Sequence, residues 1–470
     1  MKSIIAIFLC AVTLSGCSVF REYTPPENPV GAEQADLAAS DAARYKAVQE
    51  PVASWWQQFD DPQLVTLVEA ALDTNLDVRI ALANLGEARA MAREAGFDRF
   101  PTVTGNAAYF RLLNSRETSS GNAVEREDNS YAAGFDALWE LDLFGRVSQR
   151  ITAQKALADV ALADVRQTYV TVTAEVARIY IELRGAQYRL DIAERNAGNQ
   201  SGTYDLTQKL FDGGRATALD VSRAITQRDL ARSRIPPLQA EVAAAIRRLS
   251  VLTGQVPDAL HEVLAGKKIL PSLPVTVAVG HAEDLLRRRP DIHMAERQLA
   301  ASVARYNVAA TDLFPTVSIL GSIGFSATDL GSFGASALTG SLGPSIHWRA
   351  FDLGRVRAQM AQADARSMAA LAGYEKTVLE ALEETQTALN NFSREEERRA
   401  TLQQAARSAR HAAQLAKQRY EQGMDAFLDV LDAERTQLQT EDALAASETS
   451  AALDLIAIYK ALGGGWQVLE

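Results

Sequence analysis

One pattern, written twice, constrains this 470-residue chain more than any other feature. Phe100-Pro101-Thr102-Val103 returns as Phe314-Pro315-Thr316-Val317, 214 residues later. Gly145-Arg146-Val147 returns as Gly354-Arg355-Val356 and Leu219-Asp220-Val221 as Leu428-Asp429-Val430, both at an offset of 209, where Trp139 also meets Trp348. The five-residue difference falls between the first two landmarks, whereas Val147 to Leu219 and Val356 to Leu428 are both a step of 72 positions. A loop absorbs a change of length and a packed long helix does not. The chain therefore reads as two tandem structural repeats, 66–256 and 281–466, joined by a linker at 257–280 and followed by a tail at 467–470.

Each copy opens on an alanine-rich stretch without internal proline, Ala70 to Ala95 and Asp291 to Ala310, which predicts helices stopped by Pro101 and Pro315. Beyond each proline the period changes to two, predicting strands at about 102–112, 130–141, 316–326 and 340–351. In the second of these Tyr131, Ala133, Phe135, Ala137, Trp139 and Leu141 share one face. In the last, Leu342, Pro344, Ile346, Trp348 and Ala350 oppose Ser341, Gly343, Ser345, His347 and Arg349. Strands of about ten residues, apolar on one face, polar on the other and carrying interfacial tryptophan, predict a transmembrane barrel. Four strands leave open edges, so closure requires assembly; a trimer supplies twelve strands. The polar stretches Asn114 to Asn129 and Ser326 to Thr339 would be exterior loops.

After the second strand of each copy the chain reads helical from Val147 to Asp212 and from Val356 to Gln422. Either run would reach about 100 Å. Val165, Tyr169, Val172, Val176, Ile179 and Leu183 alternate steps of four and three, which is coiled-coil spacing. Gly213-Gly214 and Gly423 allow sharp turns, and helices return over Leu219 to Leu252 and Leu428 to Leu462, the first of them broken by Pro236-Pro237.

The N-terminus reads as a secretory signal over 1–16: Lys2, an apolar run from Ile4 to Leu14, then Leu14-Ser15-Gly16-Cys17. That tetrapeptide looks like a lipobox, which predicts a covalent lipid on Cys17, such as palmitate, ahead of a tail and equatorial segment over 17–65. Ser18 follows where an aspartate would usually signal inner-membrane retention, so resemblance to known lipoproteins implies delivery to the outer membrane. Net charge is −11, which argues against a nucleic-acid surface. No later segment has 18 consecutive apolar residues, so a membrane crossing would be a β-barrel. The five histidines are scattered, and Glu383-Glu384 and Glu395 to Glu397 sit in charged helical stretches, so no catalytic, metal or other cofactor site is expected.

These residues resemble the outer membrane factors, the TolC-like efflux proteins, and within them the lipoprotein branch of drug-efflux exit ducts. The resemblance covers nearly the whole mature chain. It rests on Trp55-Trp56 with Phe59, Asp61-Pro62 and Leu64, on the duplicated joints above, and on Ala461-Leu462-Gly463-Gly464-Gly465-Trp466. It implies a homotrimer with a twelve-stranded β-barrel in the bacterial outer membrane, standing on a long α-helical barrel that crosses the periplasm. It also implies a periplasmic adaptor and an inner-membrane transporter of the proton-driven RND type as partners. A type I-like protein secretion duct, or a non-conducting lipoprotein scaffold, are the alternatives.

The resemblance carries a gate onto the second turn, with Leu428 as an apolar ring and Asp432 as an acidic ring, and with Asp220 and Arg435 as lateral ties. Leu428, Asp432 and Arg435 stand at i, i+4 and i+7 on one helical face. Arg223 aligns with Asp432 at the 209 offset, and opposite charges at equivalent places suggest bridges between neighbouring hairpins. The turn residues Gly213, Gly214, Gly423 and Met424 are the candidates for adaptor contact.

Overall fold

The computed structural model describes residues 20–26, 45–46, 53–113, 127–274, 276–279 and 287–467. The predicted signal, Cys17, positions 114–126 of the first predicted loop, the start of the second repeat at 281–286 and residues 468–470 of the tail lie outside the described residues. In chain order the elements are β1 (Tyr45–Lys46), a 3-10 helix (Trp55–Phe59), α1 (Pro62–Thr74), α2 (Leu76–Phe97), β2 (Thr102–Leu113) and β3 (Glu127–Leu141). There follow α3 (Arg146–Asp212), α4 (Ala218–Ser233), α5 (Ile235–Leu252), α6 (His261–Leu264) and β4 (Val277–Ala278). The second copy then runs through α7 (Pro290–Thr311), β5 (Thr316–Ala327), β6 (Leu338–His347), α8 (Leu353–Glu421) and α9 (Phe427–Ala461).

Two compact units result. One comprises Asn84–Leu162 and Met294–Tyr374 with the described residues before Glu27; the other comprises Asn28–Ala83, Ala163–His293 and Glu375–Glu470. In the first, β2, β3, β5 and β6 form one sheet in that order, and every neighbour is antiparallel. The two hairpins thus join side by side through β3 and β5, from Tyr131 opposite Ala327 to Leu141 opposite Val317.

The last strand ends earlier than its alternation predicts. β6 stops at His347, not near 351, and Trp348 leaves the ladder. His347 pairs with Thr316, the first residue of β5, and before Thr316 stands Pro315, which has no N–H to donate. The chain turns at once, with Asp352 N–H donating to the Arg349 carbonyl at 3.0 Å. The predicted helix from Ala70 to Ala95 is likewise two helices. Asn75 is extended and buried between α1 and α2, its side chain accepting from Asp77 N–H at 2.8 Å and donating to the Leu252 carbonyl at 2.8 Å. An asparagine that caps the next helix and satisfies a buried carbonyl outweighs the helical preference of its alanine neighbours.

In the second unit the coiled-coil positions Val165, Tyr169, Val172, Val176, Ile179 and Leu183 are all buried. The returning helix breaks at Arg234, and Pro236 falls in the first turn of α5, where a missing N–H leaves no bond unmade. Trp55 and Trp56 are buried, and Trp55 stacks on Tyr459 with ring centroids 5.1 Å apart. Asp61 caps α1, accepting from Gln63 N–H at 2.9 Å, and receives the Tyr180 hydroxyl. Arg289, with only 9% of its side chain exposed, donates to the Ala461 carbonyl at 2.7 Å and pairs with Asp291 and Glu384. Trp466 donates to the Arg288 carbonyl at 3.0 Å. The tryptophans near one end of the sequence and the glycine-rich segment near the other therefore share one core.

Candidate functional site

The sheet sorts its side chains by the two-residue period. On one face Val103 pairs with Ala137, Phe135 with Ile323, Trp139 with Ile319, Val317 with Ile346, and Phe325 with Leu338. Phe135, Ile323, Leu342 and Ile346 on this face are exposed, and Tyr109 and Tyr131 lie with ring centroids 4.8 Å apart. The other face carries Thr104, Asn106, Asp136, Glu140, Ser318, Ser322, Ser341 and Ser345, with Phe110, Leu112, the Ala108–Ala132 pair and the Leu138–Leu320 pair among its apolar members. Asn106 donates to Asp136 at 2.7 Å, and the Ser322 and Ser341 hydroxyls are 2.8 Å apart. Among the described residues of one chain, β2 and β6 are open edges.

The two hairpin tips of the second unit pack together. Ala224, Phe427 and Leu431 form a buried cluster covered by Tyr204 and Tyr420, so the four helices that meet at the tips, α3, α4, α8 and α9, all contribute. Each outgoing helix ends in the same way. Gly214 adopts φ +72° and Gly423 φ +74°. Arg215 N–H returns to the Leu210 carbonyl at 2.7 Å, and Met424 N–H to the Arg419 carbonyl at 2.9 Å. These are Schellman turns, which need a residue in the left-handed region. Gly213 has no such conformation. Of the four turn candidates, Gly214 and Gly423 thus have a backbone role, and Met424 stands exposed. The guanidinium of Arg215 lies 3.7 Å from where a Cβ at Gly423 would sit, so the two turns are neighbours.

The aspartate of each Leu-Asp-Val motif caps its returning helix. Asp220 accepts from Thr217 N–H at 3.0 Å and from the Thr217 hydroxyl at 2.7 Å, and Asp429 accepts from Ala426 N–H at 3.2 Å. The preceding leucines, Leu219 and Leu428, remain exposed. Arg223, Leu428, Asp432 and Arg435 line one groove of ≈ 320 Å³ between α4 and α9, and Asp220 lies off it. Within the single chain the charges pair along their own helices, Arg435 with Asp432 at 2.5 Å and Arg223 with Asp220 at 3.9 Å. A further pair had no signal in the repeat. Arg419 grips Asp425 with two bonds of 2.7 and 2.8 Å across the second turn, which holds the Asp425 carboxyl below its ordinary range.

The sequence profile of the outer membrane efflux protein family matches this chain twice, over residues 67–255 and 282–464. The chain belongs to the outer membrane efflux protein family. The outer membrane protein OprJ of Pseudomonas aeruginosa is 33% identical, over 98% of this chain and 96% of its own length. The toluene efflux pump outer membrane protein TtgC of Pseudomonas putida is 31% identical, over 99% and 96%. Among solved structures, the outer-membrane channel OprN is 42% identical and superposes with a TM-score of 0.87, covering 96% of this chain and 100% of that one. The two-faced sheet is therefore the β part of an outer-membrane efflux channel and the long hairpins its helical part. Each match of the family profile takes in one sheet hairpin and one helical tip.

Proposed function

We propose that three copies of this chain close a twelve-stranded barrel and form the exit duct through which small molecules such as drugs leave the cell. The observation that carries this reading is the sheet: one face apolar, one polar, and both edges unpaired among the described residues of a single chain. Unpaired edges in a membrane are costly, and pairing β2 of one copy with β6 of the next removes all of them. The partners in this reading are a periplasmic adaptor and a proton-driven inner-membrane transporter of the RND type. Relatives named for the efflux of antibiotics, toluene and solvents favour small-molecule cargo over secreted protein.

In the same reading Leu428 and Asp432 ring the closed periplasmic tip, where Asp220, Arg223 and Arg435 tie neighbouring hairpins until it opens. Such exposed pairs contribute about 0 to 1 kcal/mol each, so a latch repeated around a trimer stays within reach of an adaptor docking at Gly213, Gly214, Gly423 and Met424. Cys17 carries the lipid. Three residues after it Phe20 stacks on Phe314, beside the start of β5, which suits an anchor inserted next to the barrel.

The test is conductance of purified, full-length protein in planar bilayers, with the assembled mass measured in parallel. Discrete channels from a trimer are expected. A stable assembly that never conducts, even after Asp432→Ala with Arg435→Ala, would overturn the duct.

A further inference from the structure

Arg305 and Arg366 face a groove of ≈ 450 Å³ in the first unit, formed by α7, α8 and the start of α3. Two more arginines line it: Arg146, the first residue of α3, and Arg349, just past the end of β6. Arg349 is 3.7 Å from Asp312 and Arg146 3.8 Å from Glu140, so each of these has a carboxylate. Among the described residues Arg305 and Arg366 have no acidic partner within salt-bridge distance. Two of four charges are balanced, and a surplus of two faces one space.

The groove adjoins the polar face of the sheet. Arg146 Nη1 is 3.5 Å from the Thr316 hydroxyl and also meets Glu140, and both of those residues belong to that face. Beside Asp312, the remaining lining is uncharged: Gln298, Ser302, Gln359 and Gln362 offer hydrogen bonds, with Gln359 3.5 Å from Arg349, and Val308, Ala309, Ala363 and Ala370 are apolar. Guanidinium groups do not lose their charge at physiological pH, repel one another across the space, and present planar donor pairs that match phosphate and carboxylate oxygens.

We propose that this groove binds a dissolved dianion, a phosphate monoester or a dicarboxylate, on the lumen wall at the foot of the barrel. The surplus of two charges sets the valence, and the contact with the polar face sets the side. The inference rests on the barrel reading of the sheet, because only in a closed barrel is the polar face a lumen. Bound there, such an anion would be a solute in transit or a ligand that screens the arginines.

The experiment is isothermal titration of detergent-purified full-length protein with glycerol 2-phosphate and with succinate at low salt. Saturable binding is expected, weakened about tenfold or more by Arg305→Gln with Arg366→Gln. Arg355→Gln removes one charge outside the groove and should leave binding unchanged. Absence of saturable binding, equal weakening by the Arg355 variant, or displacement of the anion by phosphatidylglycerol in the micelle would each overturn the proposal, the last by assigning the groove to a lipid headgroup. Bilayer conductance of the same preparation tests the barrel separately. Lost binding with conductance intact bears on the groove alone.

Discussion

Trp139 and Trp348 make the same bond in the two halves of the sheet. The indole of Trp139 donates to the carbonyl of Arg99 at 3.0 Å, and that of Trp348 to the carbonyl of Leu313 at 3.0 Å. Each acceptor stands two residues before the proline that opens the preceding strand. The bond ties the end of one strand to the start of its neighbour just where ladder hydrogen bonds run out. Trp348 keeps it despite having left β6, so the bond, and not strand membership, is what the two positions share.

Trp139→Phe and Trp348→Phe keep a large ring and delete the donor. Each is expected to destabilise by about 1 kcal/mol, with the double variant close to the sum. Thermal unfolding of the purified protein in detergent, followed by circular dichroism, checks this. No change in the double variant would mean that water replaces the indole at both joints.

At the tips, Gly214→Ala and Gly423→Ala place a Cβ on residues at φ +72° and +74° and should cost about 1 to 2 kcal/mol of local stability each. Gly213→Ala, whose Cβ would make only ordinary contacts with the Lys209 and Leu210 carbonyls at 3.5 and 3.7 Å, should be near neutral. Limited proteolysis at the turns separates the cases. Equal protection of all three variants would refute the Schellman geometry as the reason for these glycines.

The strands were legible because little besides a two-faced strand produces alternation with a period of two, and the duplication doubled the signal. The end of β6 was not, since Trp348 and Ala350 continue the alternation while pairing is stopped by Pro315 on the neighbouring strand, a fact of register and not of local pattern. Asn75 was missed for a related reason: its capping role depends on the Leu252 carbonyl, 177 positions away. At the tip, the charges could be found on the helix face, but their division of labour could not. Asp220 spends its carboxylate on Thr217, as its repeat partner Asp429 does on Ala426, whereas Asp432 faces the groove with Leu428 and Arg435. The four-arginine groove joins residues from three separate helices and the turn after β6, and has no sequence signature at all.

Asp432→Ala combined with Arg435→Ala removes a pair that lies along the groove edge and leaves the α9 cap at Asp429 intact. If this pair exchanges partners in the closed tip, conductance in planar bilayers should rise severalfold with melting temperature unchanged. Replacement at Asp220 should behave differently, because it also removes a cap: Asp220→Ala is expected to loosen the start of α4 by about 1 kcal/mol. Equal conductance of wild type and the double variant would remove Asp432 and Arg435 from the gate.

A pH effect follows from Asp454 on α9. Burial, and then the neighbouring Glu395 on α8, push its carboxyl up to about 6. A carboxyl whose folded value lies above its unfolded value of about 3.9 binds a proton more readily when folded, so stability falls as pH rises through that window and recovers on acidification. Between pH 7.5 and pH 5 this group should therefore contribute a rise in melting temperature. Asp454→Asn, which stays neutral throughout, should start from a higher melting temperature at pH 7.5 and show a smaller rise. Glu395 faces the same space and accepts from the Ser447 hydroxyl at 2.5 Å, so Glu395→Gln should lower the Asp454 value without abolishing its elevation, burial being the larger cause. Melting curves of wild type and both variants at the two pH values decide the matter: identical pH slopes in all three would show that Asp454 is solvated in the assembled channel.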